Sequence, residues 1–363
     1  MSRRLRLRVV VAGAGAVGSV AALALARAGA TVTVADPSAL GANASGVAAG
    51  MLAPAFETLF DAASPPLGLL RRARDLWPEL AASIGVDLSR AGAMAVGRAT
   101  RVEAWADGLA KRGVEAMRLT PAQARERSPW LTAEFGGVWT KEDWRLEPFL
   151  ALAALHTATQ DLGVVWRDAW VTDFAAGAAT LSNGVRLAAD ALVIATGAST
   201  SLIGVASELA ALTPIKGHIL AAPALVLGGP VVRLEEAYIC PAAGGALIGS
   251  TMEFGRADVG IDPAGVGRLR DLAAAAAPMF AGADLIARAG VRAATPDALP
   301  MVGESRTPGV WLAVGARRNG WLLAPLMARA LVEGMAGRRS ELWTRAFDPV
   351  RFENRAVSTA SPA

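Results

Sequence analysis

The chain has 363 residues, 53% hydrophobic and 19% charged, with a net charge of +4 and a single cysteine, Cys240, so it holds no internal disulfide and no cysteine-rich metal site. Its pI near 9.9 invites a nucleic-acid reading, but acids are interspersed among the arginines and no basic block follows 3–8, which argues against one. Alanine supplies much of the positive mean hydropathy of +0.38, and no run of about 18 or more residues reads as a membrane helix.

The basic start followed by an apolar run imitates a secretion signal, but that run belongs to a nucleotide-binding unit, and a cytoplasmic enzyme is expected. RVVVAGAGAVGS is an apolar strand running into Gly13, Gly15 and Gly18. The first glycine permits the tight turn, the second lets backbone approach a pyrophosphate, and the third lets helix pack on strand. A helix over 16–28 then points its N-terminal N–H groups at the phosphates, with Gly29 as its stop. A strand over 31–35 places Asp36 where a ribose hydroxyl would be bound. A second small-residue run, GANASGVAAGML, follows at 41–52. Two such runs with an acid between them suit a long cofactor lying along the backbone, FAD better than NAD.

Leu69, Leu70, Ala73, Leu76, Trp77 and Leu80 recur at helical spacing, a core stripe that Pro78 kinks. AGAMAVG reads as a strand; Thr100 and Glu103 have capping-box spacing before a helix, and Thr120 with Pro121 starts another. A helix begins at Glu147 and Pro148; His156 lies on it among apolar neighbours and reads as structural. VVWRD is a strand, Asn183 and Gly184 mark a hairpin, and ADALVIATGA is a strand buried on both faces. Short strands broken by glycine and proline over 214–255 read as an antiparallel layer. Asp262 and Pro263 start a helix; strands ending at Arg292 and at VWLAVG follow, then a last helix over 320–335.

Nucleotide-domain elements thus return twice after excursions. The expected architecture is α/β with α+β: a Rossmann-like FAD domain of glutathione-reductase type, over 1–90, 145–213 and 290–350, interleaved with a substrate domain over 91–144 and 214–289. A disordered tail is expected over 353–363. No second strand–GxGxxG–helix unit appears, so electrons leaving a flavin would go to oxygen, a quinone or a protein. The two histidines, His156 and His218, lack a metal-ligand pattern, and no metal is expected.

Taken together, ASGVAAGML, DWRLEP, PIKGH, IATGA, YICPAAGGALIGSTME and VGARRNGWLLAP resemble the D-amino-acid-oxidase-like family of FAD enzymes, specifically its glycine oxidase branch, nearly end to end. The resemblance implies that Ala16, Val17, Asp36, Pro37, Ala44, Ser45, Ala49, Gly50 and Met51 touch FAD. It implies that Val171 meets the adenine end and that Ala316, Arg317, Arg318, Asn319, Gly320, Trp321 and Leu322 meet the flavin. Arg292 falls where glycine oxidases bind the substrate carboxylate and Tyr238, the only tyrosine, where its partner stands; Arg318 contacts substrate, and Met51 and Met252 line the pocket. An arginine suits the first role because it pairs a carboxylate through two parallel hydrogen bonds. Covalent relatives carry a cysteine where this chain has Gly290, so FAD is read as non-covalent. Two departures, Ala293 and Ala294 after the arginine, and two more, Phe56 and Glu236 near the pocket mouth, bear on substrate size.

By this resemblance the chain oxidises glycine or another small amino acid. Hydride passes from Cα to flavin N5, the imine hydrolyses to the 2-oxo acid or feeds thiamine thiazole synthesis, and oxygen becomes hydrogen peroxide. The rivals are a dehydrogenase of the same fold, passing electrons to a quinone or partner subunit, and a non-catalytic FAD-binding protein. Homo-oligomerisation stays open.

Overall fold

The computed structural model describes residues 4–338 and 346–352; the expected tail lies outside them. A six-stranded sheet forms the first layer. Its strand order is Met301–Glu304, Val310–Val314, Ala191–Ile194, Arg8–Ala12, Thr31–Ala35, Val165–Arg167, parallel except at the first pair. Alternate residues of its central strands enter different cores. Val9, Val11 and Val193 pack with the helices Ala16–Arg27, Pro148–Asp161 and Gly320–Met335. Val10, Leu192 and Ile194 pack on the other face with Ala179 and Leu181 of a three-stranded sheet. Ala191–Ile194 is buried at every position, as its unbroken apolar run requires of a parallel strand covered on both faces.

The second layer is a nine-stranded, mostly antiparallel sheet. Its longest pairing joins Thr213–Ala222 to Ile286–Ala294, register Ile215 to Arg292 and Gly217 to Gly290. That strand runs without interruption across residue 290, the expected domain boundary, and continues past Arg292 to Ala294. There it meets the loop before the last helix: Ala294 bridges Ala316, and the Arg317 amide donates to the Ala293 carbonyl at 2.8 Å.

Local signals account for most element ends. Gly29 takes φ 98° just after the first helix, whose cap is Ala28. Thr120 and Gln123 form a reciprocal capping box, and Asp262 caps Pro263–Ala276 through the amides of Ala264 and Gly265. Pro78 comes with a full break: Leu67–Asp75 and Trp77–Ile84 are separate helices, because a proline ring inside a helix removes a donor and clashes with the preceding turn. The capping box at Thr100 and Glu103 does not form. The helix is Ala99–Lys111, so both residues lie inside its first turns, and Arg98 caps it without a side-chain bond.

Candidate active site

A cleft of about 560 Å³ opens where the first parallel strands meet the loop before the last helix. Gly13 turns at φ 104°, and a Cβ there would lie 2.5 Å from the Ala195 carbonyl oxygen. A Cβ at Gly18 would lie 2.0 Å from the Gly13 carbonyl oxygen, which is why helix and strand pack this closely. Gly15 lines the cleft at the N-terminus of Ala16–Arg27, where the N–H groups of the first turn and the helix dipole favour an anion. Asp36 lines it too, each carboxylate oxygen accepting one amide at 2.8 Å, from Ala14 and from Ser38, and each keeping a further acceptor position. Val17, Ala44, Ser45, Val171, Arg292, Ala316, Arg317, Arg318, Gly320 and Trp321 complete the predicted residues found on this wall. The indole of Trp321 donates to the Ser45 carbonyl at 3.0 Å, tying the last helix to the second small-residue run.

A smaller cavity of about 60 Å³ adjoins it; Arg292, Arg318 and Trp321 line both. Its wall includes Ala49, Gly50, Met51, Tyr238 and Asn319. Sheet register brings Arg292 and Tyr238 together. Tyr238 lies opposite Gly249, Gly249 opposite Ile219, and Ile219, Gly217 and Ile215 alternate onto one face, the last opposite Arg292. Glycines make the room. A Cβ at Gly217 would lie 2.2 Å from Arg292 Nη1, and one at Gly249 would lie 2.4 Å from the Tyr238 hydroxyl.

Burial pushes the Tyr238 phenol up to about 12, so at neutral pH it is a hydroxyl able to donate a hydrogen bond. Burial also pulls the Arg292 guanidinium below its ordinary value, though an arginine stays charged at neutral pH. Arg292 donates one bond, to the Thr251 carbonyl at 3.3 Å, and among the described residues no carboxylate lies within 4.0 Å of it. Arg318 differs: its Nε lies 3.2 Å from Glu57 and its Nη1 3.6 Å from Asp61. Arg317, held at φ 49°, also pairs with Asp61.

Several predicted residues line neither cavity. Ala16 is buried, its amide on the Ser45 hydroxyl at 2.9 Å; Gly18 packs helix on strand; Leu322 is in the core; Pro37 and Met252 lie off both walls. The two pocket-mouth substitutions are placed elsewhere. Phe56 is fully buried against Phe60, and Glu236 is exposed and paired with Arg268. Cys240 is buried and lines neither cavity, its thiol pushed up by burial to about 11. Sequence reasoning missed Glu57, Asp61, Asp143 and Arg233. Only Gly217 and Gly249, glycines inside strand patterns, carried a local signal of close approach.

The residues fit FAD: a glycine turn under a helix N-terminus, an acid one strand on, and a cleft within the roughly 300–1,000 Å³ typical of ligand sites. Fold and site together define a dinucleotide-binding oxidoreductase. The chain belongs to the DAO family of FAD dependent oxidoreductases, whose model matches residues 8–334. It is 31% identical over 318 residues to the glycine oxidase of Geobacillus kaustophilus (strain HTA426), spanning 81% of this chain and 84% of that protein. The crystal structure of glycine oxidase from Geobacillus kaustophilus superposes with a TM-score of 0.83 at 27% identity, covering 95% of this chain and 99% of that one. A bifunctional protein ThiO/ThiG of Trichormus variabilis is 31% identical over 88% of this chain and 51% of its own length. Among the described residues no helix is long and apolar enough to cross a membrane, and no cluster of His, Cys, Asp and Glu could hold a metal.

Proposed function

We propose that the protein oxidises glycine or another small amino acid at its Cα–N bond, with non-covalently bound FAD. What carries this reading is Arg292: a charged guanidinium on the cavity wall, beside the Tyr238 hydroxyl, with no carboxylate of the protein within 4.0 Å among the described residues. Such a cation is costly unless a ligand anion pairs with it. A substrate carboxylate would take two parallel hydrogen bonds from Arg292 and one from Tyr238. FAD, when bound, supplies the hydride acceptor, oxygen regenerates it, and the released imine hydrolyses to the 2-oxo acid or feeds thiazole synthesis. The chain itself contributes orientation: the carboxylate is anchored on a rigid sheet face, Arg318 is held in place by Glu57 and Asp61, and no side-chain base is needed if the amine binds neutral. The 31% identity to a glycine oxidase, over 81% of this chain, supports the class of substrate.

Arg292→Lys should cost about 2–4 kcal/mol, roughly 30- to 1000-fold in kcat/KM, because an ammonium cannot reproduce the planar fork. Tyr238→Phe should cost on the order of 1 kcal/mol. An amine without a carboxylate should turn over slowly and equally in wild type and Arg292→Ala. Equal losses for both substrates would place Arg292 in the scaffold and remove the reading. Peroxide formed in step with substrate consumed separates an oxidase from a dehydrogenase of the same fold.

A further inference from the structure

The strand Val231–Arg233 pairs antiparallel with Tyr238–Ala242, and Arg233 lies directly opposite Tyr238. Facing residues of paired strands project to the same side, so Arg233 stands beside Tyr238 on the face that carries Arg292. Its guanidinium centre is 5.8 Å from the Tyr238 ring centroid, and the residue lines the small cavity. It is 4% exposed, yet its Nε and Nη2 have no hydrogen-bond partner. Its one carboxylate neighbour within 4.0 Å among the described residues is Glu57, whose Oε2 lies 3.6 Å from Nη2, beyond hydrogen-bond distance, while Oε1 lies 3.2 Å from Arg318. The Asp143 carboxylate behind it is taken up by the amides of Ala55 and Phe56, at 2.8 and 3.0 Å. The cavity wall therefore presents three arginines, Arg233, Arg292 and Arg318, against one acid, Glu57. One substrate carboxylate on Arg292 still leaves the Nε and Nη2 donors of Arg233 unused. Buried donors without acceptors are rare because each costs its lost hydration, so they mark a place for a ligand group.

We propose that Arg233 is a second carboxylate-binding residue, and that the preferred substrate is a small amino acid bearing a second carboxylate. This rests on the reading that Arg292 anchors the first. The second carboxylate accepts from the free N–H groups of Arg233, while Glu57 keeps Arg318 in place.

The test uses the FAD-loaded protein and the perturbation of its visible spectrum by non-oxidisable acids: acetate against malonate and succinate. Dissociation constants for the diacids should be about 10- to 100-fold lower than for acetate, the range expected of one added charge-assisted pair. Arg233→Gln should erase most of that gap, and Arg233→Lys should keep part of it. In turnover, the ratio of kcat/KM for D-aspartate or iminodiacetate to that for glycine should exceed one and fall at least about tenfold in Arg233→Gln. Comparing those two diacids tells whether the second carboxylate is carried by the Cα side chain or by a substituent on nitrogen. Equal affinity for acetate and the diacids, or equal losses for all ligands in Arg233→Gln, overturns the proposal and leaves Arg233 as a counter-ion of Glu57. If instead Arg292→Lys leaves acetate binding unchanged, it is the anchor reading that fails.

Discussion

Asp36 is the residue on which the nucleotide half of the site turns. Its carboxylate ties down the Ala14 and Ser38 amides at 2.8 Å each while lining the cleft, so it shapes the glycine turn and keeps acceptor positions there for the ribose proposed to bind it. Asp36→Ala should raise the FAD dissociation constant, read by flavin fluorescence on reconstitution of apoprotein, without altering the order of substrate preference in holoenzyme. An unchanged constant would remove the ribose role. Residues of this kind were legible because their chemistry is local: strand, glycines, helix, strand and acid stand within thirty or so positions. Arg233 and Glu57 were not, because nothing within a few residues of either marks it. They meet across 176 positions, through sheet register on one side and the helix Pro54–Phe60 on the other. Met252 shows the converse. Resemblance put it in the pocket, and this chain carries it off both walls.

Among the elements, Pro54–Phe60 matters most to the site, since it carries Glu57 and is followed by Asp61. Its first turn has no cap from Ala53; the buried Asp143, distant in sequence, accepts from Ala55 and Phe56 instead. Burial pushes the Asp143 carboxyl up from 3.8 to about 6, against the backbone donors and Arg233, which favour its charged form. A carboxyl raised on folding binds its proton more tightly in the native state. Stability from this group therefore rises as pH falls through about 6 and is lost as pH climbs above it. The Tm of wild type relative to Asp143→Asn should accordingly increase between about pH 7 and about pH 5. Parallel Tm curves over that range would show that Asp143 does not titrate there. The sequence marks DWRLEP only as a turn. That its aspartate caps a helix almost ninety residues earlier is a tertiary fact, as is the failure of the Thr100 and Glu103 spacing, where the helix starts before the cap.

At the scale of the molecule, one strand joins the two kinds of chemistry. Ile286–Ala294 belongs to the antiparallel sheet, bears Arg292, and ends hydrogen-bonded to the loop that leads into the last helix. Arg292 and the wall of the larger cleft are thus set by the same backbone, and Arg292, Arg318 and Trp321 line both cavities. The layers were readable in the sequence, from short strands broken by glycine and proline in the antiparallel stretch and an unbroken apolar run in the parallel one. Which side chains the layers bring face to face needed the register. A small amino acid, held by its carboxylate on Arg292 and Tyr238, is proposed to reduce a flavin in the adjoining cleft. The direct test is anaerobic mixing of the yellow holoprotein with glycine, D-aspartate and iminodiacetate while the visible flavin absorbance is followed. Bleaching by at least one of these, slowed roughly 30- to 1000-fold in Arg292→Lys at limiting substrate, is the predicted result. A flavin that stays oxidised with every small amino acid, or that bleaches equally fast in the variant, would contradict it.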